Sequence, residues 1–250
     1  MKRLIAALAA LFLVAASAAA ADSAAKVTIR WHGQSFFELE SSKGTHVVFD
    51  PHLIDAYGRT EVPADLILIS HEHNDHNQVE AVKNAMKVKT LHGLRQNGNR
   101  LDWNPIDETF RDIHVRSLGV YHDNVKGMQY GKNTIFILEV DGLRIVHLGD
   151  LGHLLSDKMV KEIGDVDVLM IPVGGIYTIN GSEAKKVVAQ LKPRQYILPM
   201  HYGTKVFDDV LPPDEFLDEQ KNFKKLPTNT LEIKTDFKPA EPVIILLDWK

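Results

Sequence analysis

Four metal-competent side chains, His71, His73, Asp75 and His76, fall within six residues directly after the apolar run Leu66-Ile67-Leu68-Ile69. No other stretch restricts this chain so strongly, because a plain turn has no use for that density of imidazole and carboxylate. On an extended segment side chains alternate, so His71 and His73 point to one side while Asp75 and His76 lie where the chain turns. One tight turn can therefore feed two metals. The competing reading makes Asp75 an N-cap, with Gln78 completing a capping box, and the histidines solvated turn residues. A cap needs no histidines, so the metal reading leads.

The chain contains no cysteine, which removes disulfides and thiolate ligands and leaves His, Asp and Glu as the ligand types. Its 250 residues, 44% of them apolar, suit one substantial core. Residues 1–21 differ in character: Lys2 and Arg3 precede an apolar run from Leu4 to Ala16, and small residues end at Ala18-Ala19-Ala20-Ala21. This pattern predicts a secretory signal peptide over 1–21, with an apolar run shorter than the ~20 residues a spanning anchor needs. The expectation is a single domain over 22–250, exported to the periplasm or secreted, with no stable membrane anchor. Net charge is −4, and removing the two basic residues Lys2 and Arg3 takes it to −6. An acidic exported protein is a poor nucleic-acid binder and points to a small-molecule substrate.

From Lys26 onward the chain alternates strand-like runs with turn signals. Val27 to Trp31, Ser35 to Glu40 and Thr45 to Phe49 read as strands, with Ser41-Ser42-Lys43-Gly44 as a hairpin turn. Asp50-Pro51 ends the third and leaves a carboxylate at a strand end, either a turn residue or a partner that orients a histidine. Leu66 to Ile69 has the look of a strand buried on both faces. A helix is expected from about Gln78 to Met86, and a loop over the site from Gln96 to Asp112, with Trp103 as a substrate wall or a packed rim residue. Further strands are expected at His114 to Tyr121, Ile135 to Val140, Leu143 to Leu148, Val166 to Val173 and Gln195 to Met200. Helices are expected at Asp157 to Ile163, Ser182 to Leu191 and Asp214 to Phe223, and late strands at Thr230 to Lys234 and Val243 to Leu247.

Four apolar strands thus end in a candidate ligand, at His71, His122, Asp150 and His201. Strand ends are where α/β sheets place their ligands. Taken singly, His122 reads as a loop histidine, Asp150 as a turn aspartate and His201 as a packed residue. Together with the cluster they make a constellation.

The series His71-x-His73-x-Asp75-His76, His122, Asp150 and His201 resembles the ligand set of the metallo-β-lactamase fold superfamily. The phrases Trp31-His32-Gly33-Gln34-Ser35-Phe36, Asp50-Pro51, His147-Leu148-Gly149-Asp150, Ile171-Pro172-Val173-Gly174-Gly175 and Pro199-Met200-His201-Tyr202 resemble its ascorbate-6-phosphate lactonase-like branch. The resemblance implies a mixed α/β (α+β) fold, a four-layer αβ/βα sandwich with a dinuclear site at one edge. It implies that His71, His73 and His122 hold one metal, that Asp75, His76 and His201 hold the other, and that Asp150 bridges them. Asp50 matches the family's orienting carboxylate. Gln34 stands where relatives commonly carry histidine.

Imidazole and carboxylate ligands suit two divalent ions, Zn2+ first, with Mn2+ or Fe2+ also tolerated. Such a pair can hold a bridging hydroxide and polarise the bond it attacks, so the expected activity is hydrolysis. Asp75 and Asp150 are the candidate catalytic carboxylates, and His153 or Tyr202 a candidate proton donor to the leaving group. Asp at the bridging position resembles the ester-, lactone- and phosphodiester-cleaving members. An ester or lactone therefore ranks first, a phosphodiester second and a β-lactam third. Arg95, Arg100 and Lys126 are the candidates for a basic groove, and a non-catalytic metal-binding protein is the competing class.

Overall fold

The computed structural model describes residues 25–58 and 61–250, so the expected signal peptide lies outside the described residues. The chain enters through antiparallel strands β1 (Lys26–Trp31), β2 (Phe37–Glu40) and β3 (His46–Phe49), and Gly44 N–H closes the expected turn on Ser41 O at 2.9 Å. β4 (Leu66–Ile69) and β5 (Lys89–His92) then add in parallel. All of β4 is buried because its two faces meet different cores. Leu66 and Leu68 join the main core between the sheets, while Ile67 and Ile69 pack outward with Phe36 and Val82. That is why the run is continuously apolar instead of alternating.

A hairpin of β6 (Leu94–Asn97) and β7 (Arg100–Trp103) precedes the second sheet. This sheet contains β8 (Asp107–Phe110), β9 (Ile113–Tyr121), β10 (Lys132–Val140), β11 (Leu143–His147), β12 (Val168–Pro172) and β13 (Tyr196–Met200). β14 (Phe223–Lys225) and β16 (Val243–Leu246) close its far edge, and β15 (Thr230–Lys234) returns to pair with β1. The orders are β15-β1-β2-β3-β4-β5 and β14-β16-β13-β12-β11-β10-β9-β8. Because β10 runs antiparallel to both β9 and β11, these two point the same way, and with β11, β12 and β13 parallel the C-terminal ends of β9, β11, β12 and β13 share one edge.

Parallel pairing demands crossovers. Helix α1 (Asp157–Ile163) supplies the first, capped by Ser156, and α2 (Gly181–Leu191) the second. A reciprocal Asn180–Glu183 capping box starts α2, which buries Ala184, Val187 and Leu191. A single-turn α3 (Asp214–Leu217) follows. The result is the expected αβ/βα sandwich, with the layer outside the first sheet reduced to 3-10 turns at Val79–Ala81 and Ala85–Lys87.

Three local expectations are corrected. No α-helix spans Gln78 to Met86: Val82 is extended and bridges Val62, with Val62 N–H on Ala81 O and Lys83 N–H on Val62 O, and Asn84 at φ 55° breaks the path. Backbone pairing to a distant segment outweighs a weak local preference in a valine-rich stretch. The Gln96 to Asp112 segment is not a plain loop, since it holds most of the β6–β7 hairpin and all of β8. Trp103 packs against Tyr121 and gives its indole N–H to the carbonyls of Val120 and Asn133, so it is a structural residue. The expected helix from Asp214 to Phe223 ends after Leu217, where Asp218 turns extended.

Candidate metal centre

The four strand ends converge. His71 follows β4, His122 follows β9, Asp150 lies just past β11, and His201 follows β13. A Cβ on Gly152 would overlap the backbone of His122 and Asp123, so glycine there lets the Asp150 turn approach the β9 end. His201 and Asp50 have positive φ, 49° and 43°, a conformation that His and Asp adopt more readily than most residues.

Among the described residues three triads place one ligand atom each within 4.8 Å of one another: His71–His73–His122, His71–His76–Asp150 and Asp75–His76–His201. The Nε2 atoms of His76, His122 and His201 each lie 3.2 Å from Oδ2 of Asp150. Asp75 Oδ2 lies 3.5 Å from His76 Nε2 and 4.0 Å from His201 Nε2. All seven sequence-predicted side chains therefore meet at one edge of the sheets. His71, His76, His122, Asp150 and His201 are buried, whereas His73 and Asp75 face the mouth.

Hydrogen bonds behind the site set the tautomers. His71 Nδ1–H donates to Ser70 Oγ at 2.9 Å, and Ser70 Oγ–H donates to Asp50 at 2.7 Å. His76 Nδ1–H donates to Asp50 Oδ2 at 3.0 Å, and His122 Nδ1–H to the carbonyl of Tyr177 at 3.2 Å. Each arrangement occupies Nδ1 with an outer partner and turns Nε2 inward, the pattern of metal-ligating imidazoles held by outer partners. Asp50 thus takes the orienting position expected for it. Asp150 accepts Ser35 Oγ–H at 3.3 Å through Oδ1, leaving Oδ2 toward the histidines.

Electrostatics test whether a cation fits. Burial works against charge on Asp150, but the imidazoles of His201 and His76 outweigh it and hold the carboxyl well below its usual range. For Asp75 burial is likewise outweighed, chiefly by His76, and the value falls to about 2. Burial opposes protonation of His76, yet the carboxylates of Asp150 and Asp75 raise it well above the usual imidazole value. Burial lowers His71, His73 and His201, reinforced at each by neighbouring imidazoles. The cleft therefore favours positive charge beside two carboxylates while keeping most of its imidazoles neutral. His76 Nε2 and His201 Nδ1 are buried without a hydrogen bond, although His76 Nε2 is close to Asp150. The donor set fits divalent cations.

The cleft, about 260 Å³, is lined by His73, Asp75, His122, Asp150 and His201 together with Tyr130 and Tyr177. Both tyrosines escaped the sequence reading because neither lies at a strand end. The one available signal was position, eight residues after His122 for Tyr130 and directly after Gly174-Gly175-Ile176 for Tyr177. A groove of about 420 Å³ beside His71 and His73 includes Arg100, Tyr130 and Lys132, but neither Arg95 nor Lys126. Lys132 is paired with Asp102. Neither candidate proton donor lines the cleft. His153 accepts Tyr121 N–H and donates to Leu154 O, and Tyr202 stacks on Trp31 in a separate cavity. Gln34 is buried behind His201, its carbonyl accepting His201 N–H at 3.2 Å.

A family model described as a β-lactamase superfamily domain matches residues 28–201. A UPF0173 metal-dependent hydrolase of Thermococcus onnurineus is 29% identical over 235 residues, 86% of this chain and 98% of that protein. One from Archaeoglobus fulgidus is 31% identical over 195 residues, 70% of this chain and 83% of its own. Among solved structures, a protein of Thermotoga maritima assigned as a Zn-dependent hydrolase of the metallo-β-lactamase superfamily is 33% identical. It superposes with a TM-score of 0.67, covering 88% of this chain and 98% of that one.

Proposed function

This chain belongs to the metallo-β-lactamase superfamily and is a metal-dependent hydrolase, and from that premise we propose that it binds two divalent ions, zinc first, and cleaves a carboxylic ester or lactone. The observation that carries the reading is the contact of three imidazole Nε2 atoms with a single oxygen of Asp150, all at 3.2 Å. His71, His73 and His122 would hold one ion and Asp75, His76 and His201 the other, with Asp150 between the two sets. When bound, the ions supply Lewis acidity, making water acidic near neutral pH and polarising the scissile carbonyl.

The remaining work falls to the chain. Asp50, through His76 and Ser70, keeps the imidazole nitrogens aimed inward. Asp75, ionised because its carboxyl is held at about 2, accepts the proton of the attacking water at its exposed carboxylate. The Tyr130 hydroxyl oxygen accepts the side-chain Nε2–H of Gln129 at 2.7 Å, so its own O–H is left to donate to charge developing on the substrate. Water adds across the acyl–oxygen bond, the proton taken up by Asp75 passes to the leaving alkoxide, and the products are a carboxylic acid and an alcohol.

Phosphodiester hydrolysis is the second reading, supported by Arg100 in the groove beside the histidines, which has no ion-pair partner among the described residues. The N-terminal segment supports export, and the acidic net charge supports a small-molecule substrate over nucleic acid. Elemental analysis of purified protein, paired with Asp150→Ala and a panel of lactones, aryl esters and bis(aryl) phosphodiesters, tests the whole. About two equivalents of metal, lost with turnover in Asp150→Ala, is the expected result. Protein that stays metal-free in metal-replete buffer overturns it.

A further inference from the structure

Ten non-glycine residues among those described have positive φ, and Ile176, at 62°, is the one that is β-branched. For such a side chain the left-handed region is a genuine outlier. Ile176 is the centre of a three-residue turn closed by Tyr177 N–H on Gly175 O at 2.7 Å, the strained form of the γ-turn. The turn delivers the Tyr177 carbonyl to His122 and the Tyr177 ring to the cleft. Glycine would take up this φ without strain, as Gly175 does beside it at 61°. Nor does the side chain contribute to the core, since Ile176 is 54% exposed. Folding explains neither the strain nor the exposure, which points to a contact outside the chain.

A second observation lies in the segment that follows His122. The loop after His122 exposes Val125 and Met128, the latter 81% accessible, yet it is tightly held. The buried carboxylate of Asp123 accepts the backbone N–H groups of Val125, Gly127, Gln129 and Tyr130 at 2.7–2.9 Å. Tyr130 and Tyr177, from the two segments, meet edge to face with centroids 5.7 Å apart, and both line the cleft. Each rim segment is thus tied to His122, one by sequence and one by a hydrogen bond. This continuity with the cleft favours part of the reacting molecule as occupant over a membrane or a second protein.

Resting on the ester or lactone reading above, we infer that Ile176, Val125 and Met128, with Tyr130 and Tyr177, form an apolar rim that binds the acyl chain or aryl group of the substrate. The natural substrate is then an ester or lactone bearing a sizeable apolar substituent. Titration calorimetry of metal-loaded protein with straight-chain carboxylates from acetate to octanoate tests this as a binding measurement. Affinity is expected to rise about fourfold per buried methylene. Ile176→Gly and Met128→Ser should each cut the octanoate-to-acetate ratio about tenfold, while the thermal midpoint of Ile176→Gly stays level or rises by about 2–4 °C.

A purely structural isoleucine predicts the reverse, a lower midpoint and an intact ratio, and that result overturns the proposal. A flat wild-type series does so too. Rim-dependent binding to phosphatidylcholine vesicles, or rim-dependent self-association on sedimentation, with the carboxylate ratio intact, assigns the surface elsewhere and also overturns it. The same chain lengths offered as p-nitrophenyl esters separate the two readings. Length-dependent binding without turnover of any ester removes the ester reading and leaves the rim. Turnover indifferent to chain length, with a flat carboxylate series, removes the rim and leaves the ester reading.

Discussion

Asp50 and His76 form a wholly buried pair, with Oδ2 of Asp50 3.0 Å from Nδ1 of His76 and no exposure on either side chain. The same carboxylate accepts the backbone N–H and the Oγ–H of Ser70, each at 2.7 Å. One aspartate outside the proposed ligand set thereby governs two imidazoles, His76 directly and His71 through Ser70.

Asp50→Asn keeps an acceptor for Ser70 N–H but presents a neutral amide to His76. Loss of such an outer partner typically weakens metal binding about 10–100-fold. Competition against a chromophoric chelator measures this directly. Affinity within twofold of wild type would remove the orienting role assigned to Asp50.

Metal removal should destabilise the protein, because a site assembled from four strand ends exists only when folded. Free metal at a thousand times its dissociation constant contributes about 4 kcal/mol. For a chain of this length that is roughly 8–16 °C in thermal midpoint. Scanning calorimetry with and without chelator provides the comparison, and coincident transitions would count against the metal reading.

Asp123→Asn should loosen the loop that carries Tyr130. Burial alone would raise the Asp123 carboxyl, but the four backbone N–H groups outweigh it and keep the value low. Replacing the carboxylate weakens charge-assisted bonds and should cost about 2 kcal/mol in a urea melt. Turnover should fall as well. A variant with wild-type stability and rate would show that the loop does not depend on that carboxylate.

Tyr130→Phe removes one hydroxyl from the cleft wall and leaves the edge-to-face ring contact with Tyr177. If its O–H stabilises developing charge, kcat should fall on the order of a hundredfold at unchanged metal content. An unchanged kcat would confine Tyr130 to shaping the cleft.

His52 predicts a pH effect away from the proposed ligands. Its Nε2–H donates to Gly33 O at 3.1 Å and its Nδ1 accepts Ile54 N–H at 3.2 Å, so a second proton has no acceptor. Burial, ahead of the opposing bond to Gly33, lowers the ring from 6.5 to about 4. The unfolded chain then takes up this proton at a higher pH than the folded one. The contribution to stability is complete above about 6.5 and is lost as pH falls toward about 4, in total on the order of 3 kcal/mol. Imidazole NMR shifts should stay flat down to about pH 5, and a midpoint near 6.5 would contradict the burial argument.

What the sequence by itself determined is what local order encodes. The density of His71, His73, Asp75 and His76 names a donor set, and four apolar runs each ending in a histidine or aspartate name the sheet edge. The composition and phase of Ser182 to Leu191 announce a helix, and the doubly apolar Leu66 to Ile69 run announces a strand with a core on each side. Tertiary structure alone decided the rest, because it depends on segments far apart in the chain. The path after Gln78 became 3-10 turns because Val82 found Val62, and the Gln96 to Asp112 stretch gained strands through pairing. His153 and Tyr202, adjacent in sequence to site residues, turned away to other partners. Tyr130 and Tyr177 reached the cleft from two loops that meet only because β9, β11, β12 and β13 run in one direction and end on one edge. Side-chain chemistry is written residue by residue, whereas the direction in which a side chain points is set by the backbone register around it.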